Sequence, residues 1–235
     1  MSDNYVYMPF GRYTLINEKL YRGVTSIIHG ALPMPEGLQR WQCFKGFDKA
    51  KTFMKQRASI GTDVHDKIEQ FILGNLKPSE AISALDSEEK KFMFGNFLKW
   101  VSDYKPVFKS AELKVKSDKF NYAGTVDCTC EIKGKRWVID WKTSSAIRPE
   151  YGLQLAAYKH AILEQYPEFK EASMNVGVLN IRQEGYKFGD FSKHYEDNFD
   201  TFKSCINVYS WVIKNQYDFE AEINKKGMHK YKDYF

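Results

Sequence analysis

The spacing of apolar residues changes period at Pro106, and that change limits the fold more than any other feature of this chain. Before it, apolar positions recur at helical steps: Leu38, Trp41, Phe44 and Phe47, then Val64, Ile68, Phe71 and Ile72 between Gly61 and Leu73. Ser79 precedes a short helix, and Ser87-Glu88-Glu89 opens another that carries Phe92, Phe94, Phe97, Leu98 and Val101 to Tyr104, where Pro106 stops it. Beyond Pro106 alternation takes over. Residues 107–117, 122–132 and 136–142 read as three strands, with Lys133-Gly134-Lys135 as the turn between the last two. A helix from Pro149 to about Tyr166, a strand over 174–182, another over 186–191 and a long amphipathic helix over 195–217 complete the order. The expected architecture is α/β, a mixed central sheet flanked by helices with an N-terminal helical cap.

No repeat, Gly/Ser linker or low-complexity tract divides the 235 residues. They read as one domain, with a helical cap over 1–106, a sheet with its flanking helices over 107–220, and a basic tail over 221–235. With 43% apolar residues the chain can bury a sizeable core, which excludes a disordered tail protein. No apolar run approaches the roughly 18 residues of a membrane helix, and Met1-Ser2-Asp3-Asn4-Tyr5 has the look of no secretory leader, so a soluble cytosolic protein of a phage or prokaryotic host is expected, with no membrane partner. Four scattered cysteines suggest a reducing compartment. A net charge of +5 and a pI near 8.8 lean towards a polyanionic partner.

The chemistry concentrates in Val138-Ile139-Asp140-Trp141-Lys142-Thr143-Ser144, where alternation puts Asp140 and Lys142 on one strand face. Asp127, in Gly124-Thr125-Val126-Asp127, lies 13 residues earlier, a spacing at which a hairpin brings the two carboxylates together. An acid-x-Lys triplet by itself is equally an exposed ion pair. Two hard oxygen ligands beside an ammonium suit Mg²⁺ or Mn²⁺ and a phosphodiester, the lysine orienting or deprotonating water or offsetting charge at phosphorus. On the next helix Gln154 and Tyr158 share a face at i, i+4. Between Gly37 and Arg57 six basic residues face one acid, Asp48, and Trp41, Phe44, Phe47 and Phe53 interleave with them. That describes either a strand-binding surface or an amphipathic helix with a solvated basic side.

Taken in order, Gly61-Thr62-Asp63-Val64-His65, Glu112, Gly124 to Asp127, Asp140 to Ser144 and Gln154 to Tyr158 resemble the RecB-like branch of the PD-(D/E)XK nuclease superfamily. Within it, the stretches around Asp127 and Asp140 look most like the group holding mitochondrial genome maintenance exonucleases and small phage and prokaryotic relatives. The resemblance implies His65, Asp127 and Asp140 as ligands of Mg²⁺ or Mn²⁺, with the Trp141 carbonyl beside them and Glu112 as a further candidate equally readable as surface. It implies Lys142 as the catalytic lysine, Gln154 and Tyr158 as supports of the lysine or contacts to the DNA backbone, and Thr143 and Ser144 as further DNA contacts. Some members carry an iron-sulfur cluster on one cysteine before these motifs and three after them. Here only Cys205 follows Tyr158, while Cys128 and Cys130 read as core alongside Val126, so no cluster is expected. No phosphate-binding Gly-Lys-Ser/Thr loop is present, so no ATP is expected and any helicase, recombinase or single-strand-binding protein is a separate chain. The implied function is a metal-dependent exonuclease on single-stranded DNA ends or flaps in replication, recombination or repair. A structure-specific endonuclease and a non-catalytic DNA-binding or recruiting module are the alternatives.

Overall fold

The alternating stretch after Pro106 becomes the centre of an eight-stranded sheet. A computed structural model describes residues 5–8, 11–169 and 174–216. In it β4 (Val107–Ser117), β5 (Tyr122–Ile132) and β6 (Lys135–Lys142) form an antiparallel meander. Helix α6 (Glu150–Gln165) then crosses over the sheet, which lets β7 (Met174–Arg182) run parallel to β6, and β8 (Gly185–Asp190) pairs antiparallel at that edge. Helix α7 (Tyr195–Gln216) packs back on α6. The expected helix end at Tyr217 and the basic tail over 221–235 lie outside the described residues.

The N-terminal region opens on strands before the expected helices of the cap. β1 (Tyr5–Met8), β2 (Gly11–Ile16) and β3 (Lys19–Gly23) make an antiparallel ribbon, joined by Asn17 and Glu18 at φ 48° and 63°, the left-handed pair a two-residue hairpin needs. β3 then pairs in parallel with the first residues of β5, Arg22 with Tyr122 and Gly23 with Ala123. Helices begin only at α1 (Val24–Ala31).

The helical spacing from Leu38 to Phe47 is divided between two helices. Gly46, at φ 83°, separates α2 (Glu36–Lys45) from α3 (Phe47–Ile72), so the helix expected from Gly61 is the second half of a 26-residue one. α4 (Pro78–Ser83) and α5 (Glu88–Tyr104) follow. The Ser87 hydroxyl accepts from the Lys90 N–H at the start of α5, and Lys105 at φ 50° ends it before Pro106.

The sheet separates two large cores. One lies under α1, α6 and α7 and includes Ile27, Leu155, Phe202 and Tyr209; the other lies under α3, α4 and α5 and includes Val64, Phe94, Phe97 and Trp100. On β7 strict alternation serves both, Val176 and Val178 on one side and Leu179 and Ile181 on the other. β5 behaves differently: Tyr122 and Val126 belong to the first core, whereas Cys128, Cys130 and Ile132, of the same parity, belong to the second. The expectation that Cys128 and Cys130 lie alongside Val126 is therefore corrected, because the strand changes face at Asp127. Opposite that point, between the pairs Ala111–Cys128 and Leu113–Val126, Glu112 has a φ of 50°.

Candidate active site at the fork of β5

On the side of β5 away from β4, its first residues pair with β3 and its last five, from Cys128, with β6. Asp127 stands in the gap between those neighbours. The β5–β6 ladder stops at Cys128–Ile139, so the next inward N–H of β6, that of Trp141, is left for a side chain, and it donates to Asp127 Oδ2 at 2.7 Å. Asp140 comes next to this point from β6. Its Oδ2 lies 2.5 Å from Nζ of Lys142, and its Oδ1 accepts from Gln154 Nε2 at 2.8 Å. From the opposite face α3 brings His65, whose Nδ1 is 3.9 Å from Asp127 Oδ2. The two carboxylates, the lysine and the histidine expected from sequence thus meet at one place. Glu112 stands opposite Asp127 in the β4 register, at an exposed position.

Burial dominates the electrostatics. It holds both carboxyls above their usual range, each to about 6, against the pull of the Lys142 ammonium. For Lys142 burial alone would lower the pKa, but the charges of Asp140 and Asp127 outweigh it and the net direction is up. Burial pushes His65 down to about 4, which leaves a neutral imidazole at pH 7 with a lone pair to offer.

One glycine of the sequence motifs, Gly124, has a steric cause. A Cβ on Gly124 would stand 2.5 Å from the Tyr158 ring, so this position admits the tyrosine only without a side chain. The Tyr158 hydroxyl in turn receives a hydrogen bond from Gln154 Nε2 at 2.9 Å. Gln154 and Tyr158 are buried, 7% and 4% exposed, and of their two expected roles the burial favours support of the site, Gln154 bonding Asp140 and Tyr158 bonding Gln154. Ser144 is half-buried and lines the groove. Its hydroxyl donates to the Ala146 carbonyl and accepts from Tyr151 at 2.9 Å, while Tyr151 lays its ring 5.2 Å from Lys142 Nζ. Thr143 lines the open side of the site.

One residue that the motifs did not reveal completes the arrangement. Asn180, 1% exposed, pairs with Lys142 in the β6–β7 register just where the ladder ends. Its Nδ2 donates to the carbonyls of Ser144 at 2.8 Å and Lys142 at 3.3 Å. A lone amide within the apolar run Val176 to Ile181 was its only sequence signal.

His65, Lys142 and Thr143 open into a groove of about 1120 Å³. Leu38, Trp41, Phe53, Met54 and Arg57 of α2 and α3 line it, together with Arg148 beside Glu150 and Arg182 beside Glu184. A family model of the PD-(D/E)XK nuclease superfamily matches residues 40–224. The chain belongs to that superfamily.

Among curated proteins the chain is similar to mitochondrial genome maintenance exonuclease 1 of Xenopus tropicalis, 30% identical over 211 residues, which cover 81% of this chain and 55% of that protein. It is 27% identical over 135 residues to the Homo sapiens protein of the same name, covering 53% and 38%. The chain therefore spans about half or less of the length of these relatives.

PD-(D/E)XK nucleases generally use a divalent metal, and the donor set here suits one. Among the described residues no three His, Cys, Asp or Glu side chains form a ready metal cage. Hard cations such as Mg²⁺ need no cage, taking one or two carboxylates with water and substrate oxygens for the rest. Asp140 Oδ2 is buried and, beyond its ion pair with Lys142, takes no hydrogen bond. A buried carboxylate, Asp140, and a half-buried one, Asp127, against one ammonium leave a negative charge that a cation would balance. Cys128 and Cys130 are buried in the core beneath α5 and Cys205 in the opposite one, on different faces of the sheet. No helix among the described residues is long and apolar enough to cross a membrane.

Proposed function

We propose that this chain is a metal-dependent deoxyribonuclease that hydrolyses phosphodiesters as an exonuclease on single-stranded DNA ends or flaps, in replication, recombination or repair. The observation that carries the reading is the Lys142–Asp140 pair at 2.5 Å beside Asp127, at the base of an open groove. Asp127, Asp140, neutral His65 and the Trp141 carbonyl would hold Mg²⁺ or Mn²⁺. A divalent ion so held polarises the phosphate and lowers the pKa of a bound water. Lys142, kept as an ammonium by its ion pair, offsets negative charge developing on the phosphoryl oxygens. Gln154 fixes Asp140 through Oδ1, leaving Oδ2 for the lysine and the metal. Thr143, in the lining of the groove, would meet the phosphate, and Glu112, opposite Asp127 in the β4 register, is a further candidate ligand.

The lining of the groove supports a single-stranded substrate. An unpaired strand has bases to stack and phosphates to pair, and the groove offers Leu38, Trp41, Phe53 and Met54 for the first and Arg57, Arg148, Arg182 and Lys142 for the second, beside Glu89, Glu150 and Glu184. A duplex shows phosphates on both flanks and no base faces to stack. The exonuclease names of the relatives support action at ends.

End-labelled linear single-stranded DNA beside a closed circle, incubated with Mg²⁺, Mn²⁺ or EDTA, tests this reading with wild type and Lys142→Ala. Metal-dependent loss of the linear strand alone, absent in the variant, is expected. Cleavage of the circle would replace the exonuclease with an endonuclease, and absence of cleavage by folded protein that still binds DNA would replace it with a binding module.

A further inference from the structure

α2 and the start of α3 stand away from the body of the molecule. α2 buries none of its residues, and from Phe47 to Ile60 α3 buries only Ala50. A ten-residue helix without a buried face is marginal in water. Within the pair, Trp41 and Phe53 pack at a centroid distance of 5.6 Å, and Lys45 Nζ lies over both rings, at 5.7 and 4.8 Å. Past that cap, on either side of the Gly46 bend, Phe44 is 94% exposed and Phe47 69%. Neither lines the groove.

We infer that the tip of this helical pair is a second binding site for unpaired nucleic acid, in which Phe44 and Phe47 stack on bases and the surrounding lysines meet phosphates. The inference rests on the nuclease reading and adds a site outside its groove. Charge complementarity selects the occupant: Lys45, Lys49, Lys51 and Lys55 lie on the same two helices as the rings, with Asp48 as the one acid from Gly37 to Arg57. A protein partner would be matched by rings alone, whereas exposed rings set among cations are what a single strand needs, because every base has a π-face and every nucleotide a charge. The track is continuous with the groove, running from Met54 through the Trp41–Phe53 pair and Lys45 to the tip. Along α3, Phe47 lies 18 residues from His65. At 1.5 Å per residue that is about 27 Å, or about eight nucleotides of stacked strand. A strand engaged at the site would reach the tip only if longer than that.

The test is binding of labelled dT30 and dT5 in EDTA by wild type and by Phe44→Ser/Phe47→Ser. Both substituted side chains are exposed, so the variant keeps the thermal transition of the wild type. A loss of about tenfold or more in affinity for dT30, the effect of removing a stacking ring, with dT5 unchanged, is expected. A separate Lys49→Gln/Lys51→Gln variant should lower the slope of log affinity against log salt by about 1.4, for two phosphate contacts to a single strand. Unchanged dT30 affinity in the phenylalanine variant would overturn the inference while leaving the nuclease reading intact. Equal weakening for dT5 would also overturn it, by placing the effect in the groove. Loss of self-association with DNA affinity unchanged would assign the rings to a second copy instead. Wild type that binds neither oligonucleotide would sink the nuclease reading and the tip together.

Discussion

A methyl group on Gly61 would stand 2.8 Å from Oγ1 of Thr143. α3 therefore crosses the loop after Lys142 at contact distance, and this crossing sets how deeply His65, one helical turn further on, enters the site. Gly61→Ala should push α3 off the loop and reduce cleavage by about tenfold or more, since outer-shell changes typically cost that much. Gly95→Ala on α5 is the control. Nothing lies within 4 Å of its added carbon, so it should stabilise the protein by about 0.4–1 kcal/mol, read from denaturant unfolding, and leave cleavage unchanged.

Lys142→Ala should reduce cleavage below detection while single-strand affinity in EDTA stays within about threefold. The substitution leaves Asp140 buried without its ion-pair partner. Its melting temperature in EDTA should fall for that reason, and Mg²⁺ should recover more stability in the variant than in wild type.

Metal addition to wild type should raise the melting temperature, with a stabilisation near 2.7 kcal/mol at a hundred times the dissociation constant. Asp127→Asn/Asp140→Asn should lose this response. A full metal-induced shift in the double variant, measured by calorimetry, would place the ion elsewhere.

Gln154→Leu removes one amide that serves both Asp140 and Tyr158. Folding stability should drop by about 1–3 kcal/mol, the cost of buried partners left unsatisfied. Mn²⁺ affinity should weaken about 10- to 100-fold, as for other groups that orient a ligand. Titration calorimetry reads the second effect independently of cleavage.

Asn180→Ala frees the carbonyls of Lys142 and Ser144 that its amide holds. The expected result is a lower kcat with little change in KM, because the loop that aims Lys142 loosens while the groove walls stay. A rise in KM alone would mean that Asn180 serves the strand and not the lysine.

The sheet from Val107 to Lys142 was legible almost to the residue because apolar residues alternate along its sequence, Pro106 marks its start and Lys133-Gly134 marks the turn within it. Asp127, Asp140 and Lys142 were legible for the same reason, register following from the hairpin. β1 to β3 were hidden, since strands of four to six residues give alternation too few steps to stand out and their turn, Asn17-Glu18, lacks the usual glycine. The bend at Gly46 was hidden because Phe44 and Phe47 keep helical spacing across it. The contact of Asn180 with Ser144 depends on a parallel pairing between strands far apart in sequence, which no local pattern encodes.

The face change of β5 at Asp127 ties the assembly of the site to completion of the whole molecule. Its first half needs α6 and α7, its second half needs α3 and α5, and the aspartate sits at the seam. A chain folded on one side of the sheet alone, whether emerging from synthesis or partly unfolded, holds Asp127 with only one of His65 and Gln154 in place. Under the proposed nuclease reading, the centre would assemble only once both faces of the sheet are covered.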